Sequence, residues 1–315
     1  MFSDLQRPSS ELFSKSPDSD DKKMGEMVSG EASDYAGAEI IIIGCPQDEG
    51  VRRNNVRVGA AAAPDVIRQV LYQCTSPPEL TTGRVVDLGN IKIAETLEET
   101  HEIQAKVVAE ILSANKRLIV LGGGNDISYP DCLGLSKVHQ SILALNIDSH
   151  FDVRENEVRN SGTPYRQLLE EQIIRPENFF ELAIQPFANA QIYWQYLKSK
   201  GVSIHTLEQL RKEGIEKTIR SILDKNKSEA IFWGFDMDSV RSADAPGVSA
   251  SYHTGLSAAE ILAIATIAGA DKRSKILEIS EMNPEYDIDN KTAKLAAQII
   301  LGYLSSTTSK KDYIN

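Results

Sequence analysis

Three features are scarce in this chain of 315 residues: cysteine, long apolar runs and positive charge. Only Cys45, Cys74 and Cys132 occur, and they form no CxxC pair. This odd number argues against a disulfide framework and favours a reducing compartment. No apolar run reaches the roughly 18 residues of a membrane span. No apolar segment typical of a secretory signal stands near the first residues, so the sequence predicts a cytoplasmic protein.

Lysine and arginine number 34 against 45 aspartates and glutamates, which gives a formal net charge of −11. Nucleic acids and anionic membranes are bound mainly through basic surfaces, so this balance argues against both partners. The hydrophobic share of 41% and the charged share of 25% are ordinary for a folded globular chain. The composition therefore favours a globular protein that acts on a small molecule.

Residues 1–37 differ in composition from the rest, with few apolar residues and the polar run Ser16–Lys23. They are predicted to form a polar tail with the composition of a mobile segment, followed by a single domain over residues 38–315. Within that domain, eight short apolar runs alternate with helical patterns. The runs are Ile40–Gly44, Arg84–Leu88, Leu118–Gly122, Ile142–Asp148, Phe179–Ile184, Val202–His205, Ala230–Asp236 and Lys275–Ile279.

Continuous apolar runs of this kind are typical of parallel strands that are covered on both faces. Their alternation with helices such as Leu207–Lys225 predicts an α/β domain with about eight parallel strands. Periodicity alone fits a closed barrel as well as an open sheet. In both architectures, ligands bind at the carboxyl ends of the strands.

Carboxylates follow two of the predicted strands. Asp148, His150 and Asp152 alternate after one strand, and Asp236 and Asp238 alternate after another. Because alternate residues of an extended chain point to the same side, each set is expected to converge. Four carboxylates at one place repel one another unless cations neutralise them. Oxygen ligands with one imidazole predict Mn²⁺ or Mg²⁺, and four aspartates can bridge two ions.

A glycine run, Gly122–Gly124, precedes Asn125 and follows a third predicted strand. The run lacks the residues of a P-loop and the spacing of a dinucleotide-binding loop, so it is a weak signal for phosphate. Glycines at a strand end also allow a sharp turn and a close approach of backbones. Asn125 is either a metal ligand or a turn residue on this evidence.

Taken together, these motifs resemble those of the ureohydrolase superfamily, which includes arginase, agmatinase and formimidoylglutamase. The resemblance extends over residues 39–304 and includes further segments that occur in the family's order. These are Gly50–Asn54, Arg57–Ala60, Asp244–Val248, Gly255–Glu260 and Glu281–Pro284. It implies a single three-layer α/β/α domain rather than a barrel, and a homo-oligomer.

Within the superfamily, the sequence is most similar to the formimidoylglutamase subgroup. The segments that carry this similarity are Phe151–Arg154, Ser161–Gln167 and Ile184–Asn189. The subgroup's activity is the hydrolysis of N-formimidoyl-L-glutamate to L-glutamate and formamide in histidine degradation. The alternatives are an agmatinase or guanidino-acid hydrolase, and a metal-poor, non-catalytic relative that serves as a binding or scaffold protein.

The resemblance implies a centre of two Mn²⁺ ions with Asp148 and Asp236 as bridging, catalytic carboxylates. Asp152 and Asn125 would complete one ion, and His150 and Asp238 the other. Glu281 would act in catalysis by holding the cationic amidine, and Arg154, Ser161 and Arg166 would bind the rest of the substrate. The family has histidine where this chain has Asn125, so the ion at Asn125 is expected to bind more weakly.

Overall fold

The computed structural model describes residues 2–13, 16–18 and 20–307. These residues contain the strands β1 (Leu5–Gln6), β2 (Val28–Ser29), β3 (Ile40–Gly44), β4 (Val85–Ile91), β5 (Arg117–Leu121), β6 (Ile142–Ile147), β7 (Phe179–Ile184), β8 (Ser203–Thr206), β9 (Ala230–Asp236) and β10 (Ser274–Ser280). The helices are α1 (Met24–Met27), α2 (Glu49–Arg53), α3 (Ala63–Gln73), α4 (Leu97–Ser113), α5 (Ser128–Ser136), α6 (Pro164–Glu170), α7 (Gln191–Lys200), α8 (Leu207–Glu213), α9 (Ile215–Lys225), α10 (Ala258–Ala270) and α11 (Lys291–Thr307).

All ten strands belong to one sheet in the order β1-β4-β3-β5-β10-β9-β6-β7-β8, and β2 pairs with β4 outside this path. Every pairing is parallel except that of β1 with β4. The strand order begins at β1 and ends at β8, and these two strands do not pair with each other, so the sheet is open and not a closed barrel. The predicted fold class is confirmed, and the eight predicted strands correspond to β3–β10.

Alternate side chains of the central strands enter two separate apolar cores, one on each face of the sheet. In β3, for example, Ile40 and Ile42 belong to one core, and Ile41 and Ile43 belong to the other. Helices α3 and α8–α11 cover the first face, and α4–α7 cover the second. This burial on both faces explains why the strands are continuous apolar runs, and it produces a three-layer α/β/α sandwich.

The described residues of the segment 1–37 contribute to this fold. Strands β1 and β2 both pair with β4, and Met24 is fully buried in the core beneath α3. The residue pattern predicted a polar tail here because strands of two residues and isolated buried methionines produce almost no apolar periodicity in the sequence. Met1, Ser14, Lys15 and Ser19 lie outside the described residues. The division of the chain at residue 37 stays a prediction.

The stretch 207–225, predicted as one helix, is divided into α8 and α9. The break is at Gly214, whose φ of 90° lies outside the helical range and suits glycine.

Within the described residues, no helix is long and apolar enough to cross a membrane.

Candidate metal centre

Four adjacent strands of the sheet, β5, β10, β9 and β6, deliver polar residues to one place at their carboxyl ends. Asn125 follows β5, Glu281 follows β10, Asp236 ends β9, and Asp148 follows β6. Parallel strands end at the same edge of a sheet, so the four loops meet there. This edge of an open α/β sheet is where ligands are generally bound.

The glycine run after β5 brings Asn125 into this edge. A Cβ atom on Gly123 would lie 1.7 Å from the carbonyl oxygen of Gln47, so only glycine fits there. The Gly123 carbonyl oxygen accepts a hydrogen bond of 2.9 Å from the backbone N–H of Glu281. The glycines therefore allow close packing between neighbouring loops, and this accounts for them without a phosphate.

Two groups of ligand atoms form at the edge, each within 4.8 Å of one another. One contains Asp148, His150 and Asp238, and the other contains Asp148, Asp152 and Asp236. Asp148 belongs to both. The structure thus brings together the five Asp and His residues that the strand-end spacing predicted to converge.

These carboxylates lack a basic partner other than His150. Among the described residues, no lysine or arginine lies within ion-pair distance of any of the four aspartates. Burial and the neighbouring Asp238 raise the pKa of Asp148 to about 6 and that of Asp236 well above its usual range. Burial and Asp148 likewise raise the pKa of Asp152.

One oxygen of Asp238, Oδ1, is buried and accepts no hydrogen bond from any described residue. A buried oxygen without a donor and carboxylates with raised pKa values both indicate missing positive charge. Hard divalent cations such as Mn²⁺ prefer carboxylate oxygens, and imidazole is compatible with them. The residues at this edge therefore fit a divalent cation.

Asn125 faces the carboxylates with its amide nitrogen. Its Nδ2 donates to Asp152 Oδ2 at 2.6 Å and to Asp148 Oδ2 at 3.3 Å. Its Oδ1 accepts from the hydroxyls of Ser128 and Ser280 at 3.1 and 3.0 Å. For Oδ1 to bind a metal, as the family resemblance implies, the side-chain amide must rotate so that its oxygen and nitrogen exchange places. Ser280 was missed because it lies 155 positions from Asn125, and Ser128, three residues after Asn125, was not considered.

Glu281 and Asp152 both have left-handed backbone conformations, with φ of 59° and 47°. Such conformations cost non-glycine residues about 1–3 kcal/mol and cluster at functional sites. Glu281 Oε1 accepts the backbone N–H of Asn125 at 2.8 Å, which fixes the carboxyl beside the metal candidates. Burial raises the pKa of Glu281 to about 8.

The three residues predicted to bind substrate have different surroundings. Arg154 is exposed, no described residue pairs with its guanidinium, and its side chain runs along Gly162. Ser161 is buried, and its hydroxyl accepts from Asn54 at 3.1 Å. Arg166 forms ion pairs with Glu155 at 3.2 Å and Glu170 at 3.0 Å and lies over the ring of Tyr196.

The model of the Arginase family matches residues 38–305 of this chain. The chain belongs to the arginase family. Its relatives include a formimidoylglutamase of Staphylococcus aureus, 36% identical over 275 residues, which cover 84% of this chain and 85% of that protein. The arginase-family resemblance predicted from the motifs is therefore confirmed.

Solved structures of the same family superpose on this one. The formimidoylglutamase of Bacillus subtilis has a TM-score of 0.87 at 29% identity and covers 93% of this chain and 94% of its own. A Trypanosoma cruzi formiminoglutamase with Mn²⁺ has a TM-score of 0.82 at 30% identity and covers 96% of this chain and 99% of its own. The arginase-family chain thus has a metal-compatible Asp/His cluster, and a relative's structure contains manganese.

Proposed function

We propose that this arginase-family hydrolase converts N-formimidoyl-L-glutamate to L-glutamate and formamide with two Mn²⁺ ions. The observation that carries the proposal is the cluster of four aspartates and His150, since it lacks the positive charge that two cations would supply. The names of its relatives in Staphylococcus aureus and Bacillus subtilis support the choice of substrate.

In this proposal, Asp148 and Asp236 would each serve as a ligand to both ions. The presence of Asp148 in both ligand groups supports its bridging role. Asp152 completes one ion together with Asn125, once its amide presents Oδ1, and His150 and Asp238 complete the other. Such a pair of ions, when bound, supplies an activated water nucleophile near neutral pH.

Glu281 is proposed to hold the amidine end of the substrate. Its carboxyl is fixed by the N–H of Asn125 and lies beside the aspartate cluster. A substrate amidinium is a cation with N–H donors in a plane, and a carboxylate binds it through charge-assisted hydrogen bonds. Ionised Glu281 would orient the carbon that water attacks, and the positive substrate would favour that ionised form.

Arg154 is proposed to bind a carboxylate at the other end of the substrate. Its guanidinium has no partner among the described residues, and it follows Asp152 by two positions, at the edge of the site. Ser161, beside Gly162 and Arg154, would help to shape this end. Arg166 is a weaker candidate, because two glutamates and Tyr196 already occupy its guanidinium.

A substrate panel tests the proposal. The metal-free protein is loaded with Mn²⁺, and product release is measured from N-formimidoyl-L-glutamate, L-arginine and agmatine. We expect the first to be hydrolysed fastest, because agmatine has no carboxylate to pair with Arg154, and we expect a chelator to abolish the reaction. Faster hydrolysis of arginine or agmatine would contradict the substrate assignment. No hydrolysis by the loaded protein would favour a binding role.

The resemblance further leads us to propose a cytoplasmic homo-oligomer. Sedimentation of the purified chain measures the oligomeric state, and fractionation of the source cells measures the location. A monomer, or a secreted protein, would contradict these two proposals without affecting the substrate assignment.

A further inference from the structure

Tyr252 contacts the candidate metal ligand His150 from the side opposite the carboxylates. His150 Nδ1 lies 3.1 Å from Asp238 Oδ2 and 3.5 Å from Asp148 Oδ1, so this nitrogen faces the cluster. His150 Nε2 lies 3.2 Å from the hydroxyl oxygen of Tyr252, and the two ring centroids are 5.5 Å apart. The imidazole is therefore held between the carboxylates and one phenol.

The position of Tyr252 is fixed by its neighbours. Its carbonyl oxygen accepts the backbone N–H of Ser242 at 2.7 Å, which closes the loop that follows β9. The ring of Phe187, in the loop after β7, packs edge-on against the tyrosine ring at 5.9 Å. Phe187 is 69% exposed and lies outside the apolar cores. Its contact with Tyr252 gives this exposed aromatic ring a packing partner at the site.

The chemistry of histidine gives this contact a role. An imidazole that binds a metal through Nδ1 must be unprotonated there and must carry its proton on Nε2. The Nε2–H group then needs an acceptor that fixes the tautomer and the plane of the ring. The Tyr252 oxygen is within hydrogen-bond distance of Nε2 and can accept that proton.

We propose that Tyr252 is a positioning residue for the metal centre: its phenolic oxygen accepts the Nε2–H of His150 and so holds Nδ1 ready for the ion. The inference rests on the proposed metal-dependent function. It assigns Tyr252 no contact with the reacting atoms, so its effect is on metal affinity first and on turnover only through metal occupancy.

The test uses Tyr252→Phe, which keeps the ring against Phe187 and removes only the hydroxyl. Mn²⁺ is titrated calorimetrically into metal-free samples of the unaltered protein, Tyr252→Phe and the control Tyr286→Phe. Tyr286 lies under the guanidinium of Arg57, and that guanidinium holds the carbonyls of Val248 and Ser249 in the same loop as Tyr252. Phenylalanine preserves that stacking, so the control tests the loop without touching His150.

We expect Tyr252→Phe to weaken one Mn²⁺ site by about 10- to 100-fold. Excess Mn²⁺ should then restore turnover, with KM for the substrate unchanged, and the control should bind Mn²⁺ like the unaltered protein. Equal Mn²⁺ affinity in Tyr252→Phe and the unaltered protein would overturn the inference and leave the proposed function standing. A failure of the unaltered protein to bind Mn²⁺ would overturn both.

Discussion

Two of the buried groups of ionisable side chains in this fold are neutralised in different ways. Arg68, in α3, and Asp87, in β4, are both fully buried and joined by bonds of 2.7 and 3.1 Å. Tyr72 and the backbone N–H of Gly89 also donate to Asp87. Of the metal candidates, Asp148, Asp236 and Asp238 are buried and Asp152 is half-buried, but no arginine or lysine of the described residues reaches them.

The difference separates a structural charge pair from a binding site. The charge of a buried carboxylate that forms an ion pair with an arginine is neutralised within the chain. A buried cluster of carboxylates without one is costly until a cation arrives from outside. The raised pKa values of Asp152 and Asp236 express that cost in the metal-free protein.

The largest effect is expected from a matched pair of substitutions, Asp87→Asn and Asp236→Asn. Asp87→Asn removes the buried counter-charge of Arg68, which keeps only the largely exposed Asp65 as an ion-pair partner. The substitution should lower the free energy of unfolding by about 3–5 kcal/mol, with or without Mn²⁺. Asp236→Asn removes a repelling charge, so the metal-free protein should lose no stability. Denaturant unfolding of both variants measures the contrast. A large loss of stability in metal-free Asp236→Asn would contradict the expected contrast between the two variants.

The second prediction concerns pH and metal together. The folded pKa values of Asp148 and Glu281, about 6 and about 8, lie above their ordinary values, so the native state binds more protons than the unfolded one. This stabilisation is complete below about pH 4 and is lost as the pH rises through 6 and 8. Metal-free protein should therefore become less stable by on the order of 5 kcal/mol between pH 5 and pH 8.

Mn²⁺ should reverse this loss, because it favours the ionised carboxylates. At 100 times its dissociation constant, one bound ion stabilises the fold by about 2.7 kcal/mol. Thermal unfolding with Mn²⁺ and with a chelator, at both pH values, measures the effect. An equal shift in melting temperature at pH 5 and pH 8 would show that the carboxylates do not govern binding.

The third prediction contrasts Arg154 with Arg68, since no described residue pairs with the guanidinium of Arg154. Arg154→Ala should raise KM for N-formimidoyl-L-glutamate by about 10- to 150-fold, the value of a charge-assisted contact of about 1.5–3 kcal/mol. The turnover number should change much less, because a contact at the non-reacting end of the substrate is lost equally in the enzyme–substrate complex and in the transition state. Arg220→Ala, whose exposed arginine pairs with Glu216, is the control. An unchanged KM in Arg154→Ala would remove Arg154 from the site.

The smallest effect is expected within the cluster, where Asn125 distinguishes the two ligand groups. Asn125→His replaces an amide whose nitrogen faces the carboxylates with an imidazole that can offer a lone pair. The weaker Mn²⁺ site should tighten by roughly tenfold, a change typical of one well-oriented contact. The dependence of activity on added Mn²⁺ should fall accordingly. No change in either affinity would mean that residue 125 is not a ligand.

The fold and the aspartate cluster could be predicted because both depend on local periodicity. The apolar runs predicted strands β3–β10, and the alternating polar residues at the ends of β6 and β9 predicted the candidate metal ligands. The strands β1 and β2 were missed because two residues form no pattern. The contact of Asn125 with Ser280 joins residues 155 positions apart, and the contacts of Arg166 with Glu155 and Tyr196 depend on packing. No local pattern contains that information.

Calorimetric titration of Mn²⁺ into the metal-free protein, followed in parallel by hydrolysis of N-formimidoyl-L-glutamate, tests the central claim most directly. We predict two ions per chain with unequal affinities, the weaker on the Asn125 side, and activity that rises as the second ion binds. Asp236→Asn should bind neither ion, since the proposed function makes Asp236 a ligand of both. Absence of binding by the unaltered protein in excess Mn²⁺ would contradict the account.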